Sequence, residues 1–100
     1  MGIILVTGVT GNIGSAVAQA LQTRGVPFRI LLRNPDKAQG TGADEVVQGD
    51  YNDPESLRKA MEGVEKVFLV APAHPDMLTF ERNAIDAAKA AGVKYVVMIS

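Results

Sequence analysis

The stretch ILVTGVTGNIGSAVAQAL, residues 4–21, constrains the fold more than any other part of the chain. An apolar run leads into three glycines at three-residue spacing, Gly8, Gly11 and Gly14, and then into an amphipathic run. The apolar run is the pattern of a strand buried on both faces, and the second run is that of a helix. Each glycine has a distinct use at such a seam. Gly8 lets the chain turn tightly out of the strand. Gly11 lets the backbone approach an anion with no side chain in the way. Gly14, one turn into the helix, permits close packing of helix on sheet. The positive end of the helix then faces the anion. Gly8, Thr10, Gly11, Asn12, Ile13 and Gly14 are therefore a candidate cradle for a pyrophosphate. The alternative is a tight turn that holds no ligand.

Strand and helix patterns alternate along the rest of the chain. Ile3–Thr7 is the first strand. Asn12 or Thr10 can cap the following helix, with Ile13, Val17, Ala20 and Leu21 on its apolar face and Gly25 at its stop. Phe28–Leu32 is the second strand, and Pro35–Gln39 has room for one or two helical turns before Gly40 and Gly42. Glu45–Gln48 is a short third strand. Asp53, Pro54 and Glu55 form a helix start: a capping carboxylate, a proline at the first position and an acid in the first turn. That helix ends near Gly63. Lys66–Ala71 is the fourth strand. Asp76 is expected to cap a long helix with Met77, Phe80, Ala84, Ile85 and Ala88 on one side and Gly92 at its end. Tyr95–Ile99 is the fifth strand. Such alternation implies parallel pairing with right-handed crossovers. The expected fold is α/β: a doubly wound, Rossmann-like parallel sheet of five strands in the order 3-2-1-4-5, with residues 1–100 as one nucleotide-binding domain that stops after strand 5. Ligands bind such sheets at the carboxyl ends of strands 1 and 4, where the glycine loop stands.

Composition narrows the function classes. Apolar residues are 47% and charged residues 21% of the chain, the balance of a globular protein. With a formal net charge of -1, there is no electrostatic case for nucleic acid or an anionic membrane as partner. No apolar run has the length of a membrane span, and the N-terminus goes directly into a strand pattern without a basic signal region. Cysteine is absent, which fits a cytoplasmic location. No metal site is expected.

The segments MGIILVTGVTGNIGSAVAQALQTRG, LLRNPDKA, GDYNDPESLRKAMEGVEKVFLV and AGVKYVVMIS together resemble the N-terminal half of NmrA-like proteins, a branch of the atypical short-chain dehydrogenases/reductases. The combination of T-G-x-T-G-x-x-G, R-N-P, G-D and D-x-x-S-L carries the resemblance. It implies binding of NADP(H) or NAD(H). Some members reduce quinones or similar acceptors, and others sense the nucleotide without catalysis.

The end of strand 2 bears on the choice of nucleotide. An NAD-preferring site usually places an acid there, about twenty residues after the glycines, to accept from the ribose hydroxyls. This chain has Arg33, which can fork onto a 2′-phosphate and stack on adenine. Lys37 follows one helical turn later. The resemblance implies that both contact that phosphate, so NADP is the expected cofactor and NAD the second choice; the alternative is a solvated strand end and a surface lysine. The resemblance also sets Asp50 beside the adenine, with Tyr51 or Asn52 at the rim. An Asx-type turn before the Asp53 cap explains the same residues. Val70 and Ala71 end strand 4, where the chain is expected to pass the ribose next to nicotinamide; small residues there suit a tight turn equally.

The reaction itself has less support. The usual short-chain dehydrogenase device is a Tyr-x-x-x-Lys pair after a serine at the end of strand 5. Tyr95 has Ile99 four residues on, and lies in a strand. Ser100 stands where the serine is wanted, and His74, the only histidine, lies in a Pro-rich loop near the expected mouth. These two are the weak catalytic candidates, and a lone loop histidine is more often a solvated surface residue.

Three readings follow. The first is the NADP(H)-binding part of an NmrA-like oxidoreductase that would not turn over alone, its small-molecule acceptor bound only in a longer parent. The second is a nucleotide-sensing interaction module. The third is a folding scaffold without ligand. The winding reverses at strand 1, so the helices after strands 1 and 2 cover one face and those after strands 3 and 4 the other. One face of strands 4 and 5 and the outer edge of strand 5 are then expected to stay open, which implies either self-association, for example a homodimer through strand 5, or a loosely held C-terminal strand.

Overall fold

The computed structural model describes residues 2–8, 12–34, 42–70 and 75–99. The elements run β1 (Ile3–Val6), α1 (Asn12–Thr23), β2 (Phe28–Leu32), β3 (Glu45–Gln48), α2 (Pro54–Ala60), β4 (Val64–Val70), α3 (Met77–Ala91) and β5 (Tyr95–Ile99). The five strands form one sheet in the order β3-β2-β1-β4-β5, with every pairing parallel. This is the doubly wound order expected of the alternating pattern. β4 begins two residues earlier than its apolar run, because Val64 pairs with Ile3 of β1. The helical turns expected over 35–39 lie outside the described residues.

Alternate residues of each strand serve opposite faces, so the sheet separates two cores. On one face α2 and α3 cover Leu5, Leu31, Val67 and Leu69, with Leu57, Met61, Ala84 and Ala88 as the helical partners. On the other face α1 packs Ala18, and more loosely Val17 and Leu21, on Val6, Phe28, Ile30 and Leu32. The face of α1 is rotated from the expected one. Gly14 is buried, so the contact row is 14, 17, 18 and 21, and Ile13 (43% exposed) and Ala20 turn outward. In α3 the buried row is Phe80, Ala84, Ala87 and Ala88, and Ile85 lies off it. A run of alanines lets that helix sit close to the sheet.

The helix ends follow from local chemistry, with one exception. The Asp53 carboxylate accepts from the N–H groups of Glu55 (3.2 Å) and Ser56 (3.4 Å), with Pro54 at the first turn, as its sequence predicts. Gly92 ends α3 in the left-handed region at φ 78°. Asp76 precedes α3, but its side chain makes no capping hydrogen bond: the backbone there, at φ -92° and ψ 17°, is not the extended conformation that aims a cap side chain at the helix N–H groups.

One charged residue enters the sheet interior. Arg29, in the middle of β2, is buried. Its Nη1 donates to the carbonyls of Ala60 (2.7 Å) and Glu62 (2.8 Å), where α2 ends, and its Nη2 lies 3.4 Å from the Glu45 carboxylate of β3. The guanidinium thereby satisfies carbonyls that the end of a helix leaves without partners.

Candidate functional site

Thr7 and the turn after β3 meet at the carboxyl ends of β1 and β4. Thr7, fully buried, follows β1. Its N–H donates to the Phe68 carbonyl (3.0 Å), and its Oγ1 accepts from the Val70 N–H (2.8 Å) and lies 3.3 Å from the Val70 carbonyl. The threonine thus continues the β1–β4 pairing past the end of β1 through its side chain. Gly8 comes next at φ 69°, a conformation that disfavours any residue with a Cβ. A Cβ there would stand 2.5 Å from the Val70 carbonyl oxygen. Gly8 therefore has the backbone conformation and close approach that the sequence reading asked of it, and the end of β4 is what crowds it. Of the rest of the glycine loop, Gly14 is buried on the sheet side of α1 and Ile13 is exposed. Thr10 and Gly11 lie outside the described residues, as does the side chain of Asn12, the first residue of α1.

Tyr51 reaches this junction from the turn after β3. Its hydroxyl donates to the Val70 carbonyl (3.3 Å), and its ring stacks on Phe80 of α3, with centroids 5.3 Å apart. Asn83, also on α3, donates to the Tyr51 carbonyl (2.7 Å). Burial raises the pKa of the phenol, and a hydrogen bond with the Thr7 hydroxyl opposes that rise. Sequence reasoning placed Tyr51 at a rim but missed this inward attachment, and it missed Thr7. The only signal for Thr7 was the T-G pair at the end of an apolar strand.

A second feature lies at the ends of β2 and β3. A cleft of about 410 Å³ is lined by Arg33, Gln48, Asp50, Asp53, Glu55 and Lys59, among others. Asp50 makes the Asx-type turn that its sequence allowed: its Oδ1 accepts from the Asn52 N–H (2.9 Å), and its own N–H donates to Ser56 Oγ (2.9 Å). Asp50 lines the same cleft as Arg33. The cleft's other acids are committed locally, Asp53 to the α2 cap and Glu55 to Arg58. Arg33 and Lys59 have no ion-pair partner among the described residues. The cleft thus brings two cations without ion-pair partners among the described residues together with three carboxylates at the ends of β2 and β3. Lys37, Ala71, His74 and Ser100 lie outside the described residues.

Residues 8–100 match a family described as NAD(P)H-binding. The chain belongs to that family. This NAD(P)H-binding chain is 45% identical over 97 residues to the NAD(P)H azoreductase of Xenophilus azovorans, covering 95% of this chain and 34% of that protein. It is 38% identical over 102 residues to quinone oxidoreductase 2 of Escherichia coli (strain K12), covering 97% and 36%. Among solved structures, Citrobacter sp. triphenylmethane reductase complexed with NADP(H) is similar with a TM-score of 0.86 and 39% identity, over 97% of this chain and 37% of that one. The chain spans about a third of the length of the curated relatives it matches. These relatives are reductases, as the resemblance to the oxidoreductases of the NmrA-like branch implies. No helix among the described residues is long and apolar enough to cross a membrane.

Proposed function

We propose that this domain binds NADP(H) in preference to NAD(H), as the nucleotide-binding part of an oxidoreductase that passes a hydride to a quinone-like or other small acceptor. One observation carries the reading: Arg33, without an ion-pair partner among the described residues, faces the cleft where an NAD site would carry an acid. A ribose 2′-hydroxyl needs an acceptor there, and an arginine has none to offer. A 2′-phosphate needs a forked donor, which arginine supplies. Lys59 adds charge from α2, and Lys37 is assigned to the same phosphate. The loop from Gly8 to Gly14 holds the pyrophosphate, through Thr10, Gly11, Asn12 and Ile13. Asp50 and Tyr51 serve the adenine side, and Val70 and Ala71 the nicotinamide ribose.

Bound nicotinamide supplies the hydride chemistry, and the protein's part is binding, orientation and exclusion of water. The acceptor reading draws on relatives named as azo, quinone and triphenylmethane reductases. Its pocket is assigned to a longer parent, with Ser100 and His74 as the residues of this chain to test for a part in it. Calorimetric titration of wild type and Arg33→Ala with NADP⁺ and NAD⁺ tests the nucleotide assignment. A charged, forked contact is worth about 1.5–3 kcal/mol, so NADP⁺ should weaken by about tenfold or more while NAD⁺ hardly changes. Equal losses for the two would show that Arg33 does not read the 2′-phosphate.

A further inference from the structure

We infer that Tyr51 is a positioning residue for the nicotinamide half of the dinucleotide, acting through the carbonyl of Val70. The inference rests on the nucleotide-binding reading above. Val70 ends β4, and its carbonyl oxygen is the atom that a Cβ on Gly8 would strike. That oxygen is a wall of the turn into the glycine loop, and any movement of it moves the turn. Two hydroxyl oxygens stand against it, those of Thr7 and Tyr51, each at 3.3 Å, and the Tyr51 phenol donates to it. The Thr7 hydroxyl has one proton for the Phe68 and Val70 carbonyls, so it does not hold the Val70 oxygen alone.

Tyr51 is itself held by two residues of α3. Phe80 fixes the plane of the ring, and the Asn83 amide fixes the backbone. Packing on Phe80 would be served as well by a phenylalanine. The hydroxyl adds a partly desolvated polar group, which is costly unless it is bonded, and its acceptor is the Val70 carbonyl at the end of β4. The residue also joins two places that bind different parts of the ligand. Asp50, its neighbour in sequence, lines the cleft assigned to the adenosine end, while Val70 stands at the nicotinamide end. Tyr51 is in this way a strut across the site.

The test separates the two ends of the ligand. Wild type and Tyr51→Phe are titrated by calorimetry with NADP⁺ and with 2′,5′-ADP, which carries the 2′-phosphate but no nicotinamide half. Thermal melts of both proteins check folding. NADP⁺ should weaken about fivefold, the effect of one lost hydrogen bond, and 2′,5′-ADP should stay within about twofold. A residue serving stability alone would lower the melting temperature and leave both affinities equal to wild type. A residue touching only the adenosine end would weaken both ligands alike. Either result overturns the inference and leaves NADP(H) binding intact. Should Tyr51→Phe fail to fold, Phe80→Leu loosens the ring and keeps the hydroxyl. The same split between ligands, at smaller size, is expected there, and its absence overturns the inference. Failure of wild type to bind NADP⁺ or NAD⁺ would remove the underlying reading, and the inference with it.

Discussion

β4 and β5 are neighbours in one sheet, paired residue for residue from Lys66 with Tyr95 to Val70 with Ile99, and both are mostly apolar. Their environments differ sharply. Leu69 is 1% exposed and its partner Met98 is 50% exposed; Val67 is 1% exposed and its partner Val96 is 38% exposed. β4 has β1 on one side, β5 on the other and α3 above it. β5 has a single neighbouring strand, and Tyr95, Val96, Val97 and Met98 are all exposed, so neither of its faces is fully covered. An apolar sequence therefore states what a strand can bury, while the number of neighbours decides what it does bury. The junction assigned to the dinucleotide belongs to the covered strand, and the exposed strand stands outside it.

The sharpest way to break this comparison is to truncate both members of one pair. Leu69→Ala should cost about 3 kcal/mol, because it leaves a cavity in a packed core. Met98→Ala should cost less than about 1 kcal/mol, because half of its side chain already meets water. Urea unfolding of the two variants measures both, and equal losses would mean that β5 is covered in solution. Next in size is Gly8→Ala. Its φ of 69° and the 2.5 Å approach to the Val70 carbonyl predict a loss of about 2 kcal/mol, seen in the same unfolding assay. An alanine tolerated there would show that the end of β4 yields.

A smaller effect depends on pH. Burial raises the folded-state pKa of Tyr51 above that of the unfolded chain. The unfolded state then gives up the phenol proton first as pH rises. The stability linked to this group is complete below the unfolded value, near 10, and is lost as pH climbs through the higher folded value. Stability should therefore decline at alkaline pH, and the decline should be shallower in Tyr51→Phe. Parallel profiles for the two proteins would show that the phenol is open to solvent. The smallest effect on stability, within about 0.5 kcal/mol, is expected of Val97→Lys on the exposed strand. Its effect on association should be the larger one. Sedimentation at micromolar concentration should show self-association of wild type, in keeping with the dimer through β5 that the sequence leads one to expect, and a monomer for the variant. A monomeric wild type would refute the dimer.

Much of this was legible in the sequence because it is local. Strand order followed from the alternation of patterns and the fixed hand of crossovers. The Asp53 cap and the Asx turn at Asp50 each join residues two or three apart. The face of α1 was misjudged by one position because Ile13 looks like a core residue, while Gly14, with no side chain to count, is what meets the sheet. Asp76 has the right identity for a cap and the wrong backbone. The burial of Arg29 and the inward attachment of Tyr51 could not be read. Their partners, Ala60 and Glu62 for the first and Val70 and Phe80 for the second, are distant in the chain, and nothing near either residue says which way it points.

The bond between Thr7 and Val70 spans 63 residues of chain. Contacts of such separation form only after the entropy of a long loop has been lost, which places this junction among the later parts of the molecule to assemble. A dinucleotide bound there would recognise none of the partly folded forms that precede it. The whole of its binding energy would then favour the completed sheet, by about 2.7 kcal/mol at a ligand concentration one hundred times the dissociation constant. In a cell, the supply of nucleotide would set how long the finished domain survives proteolysis.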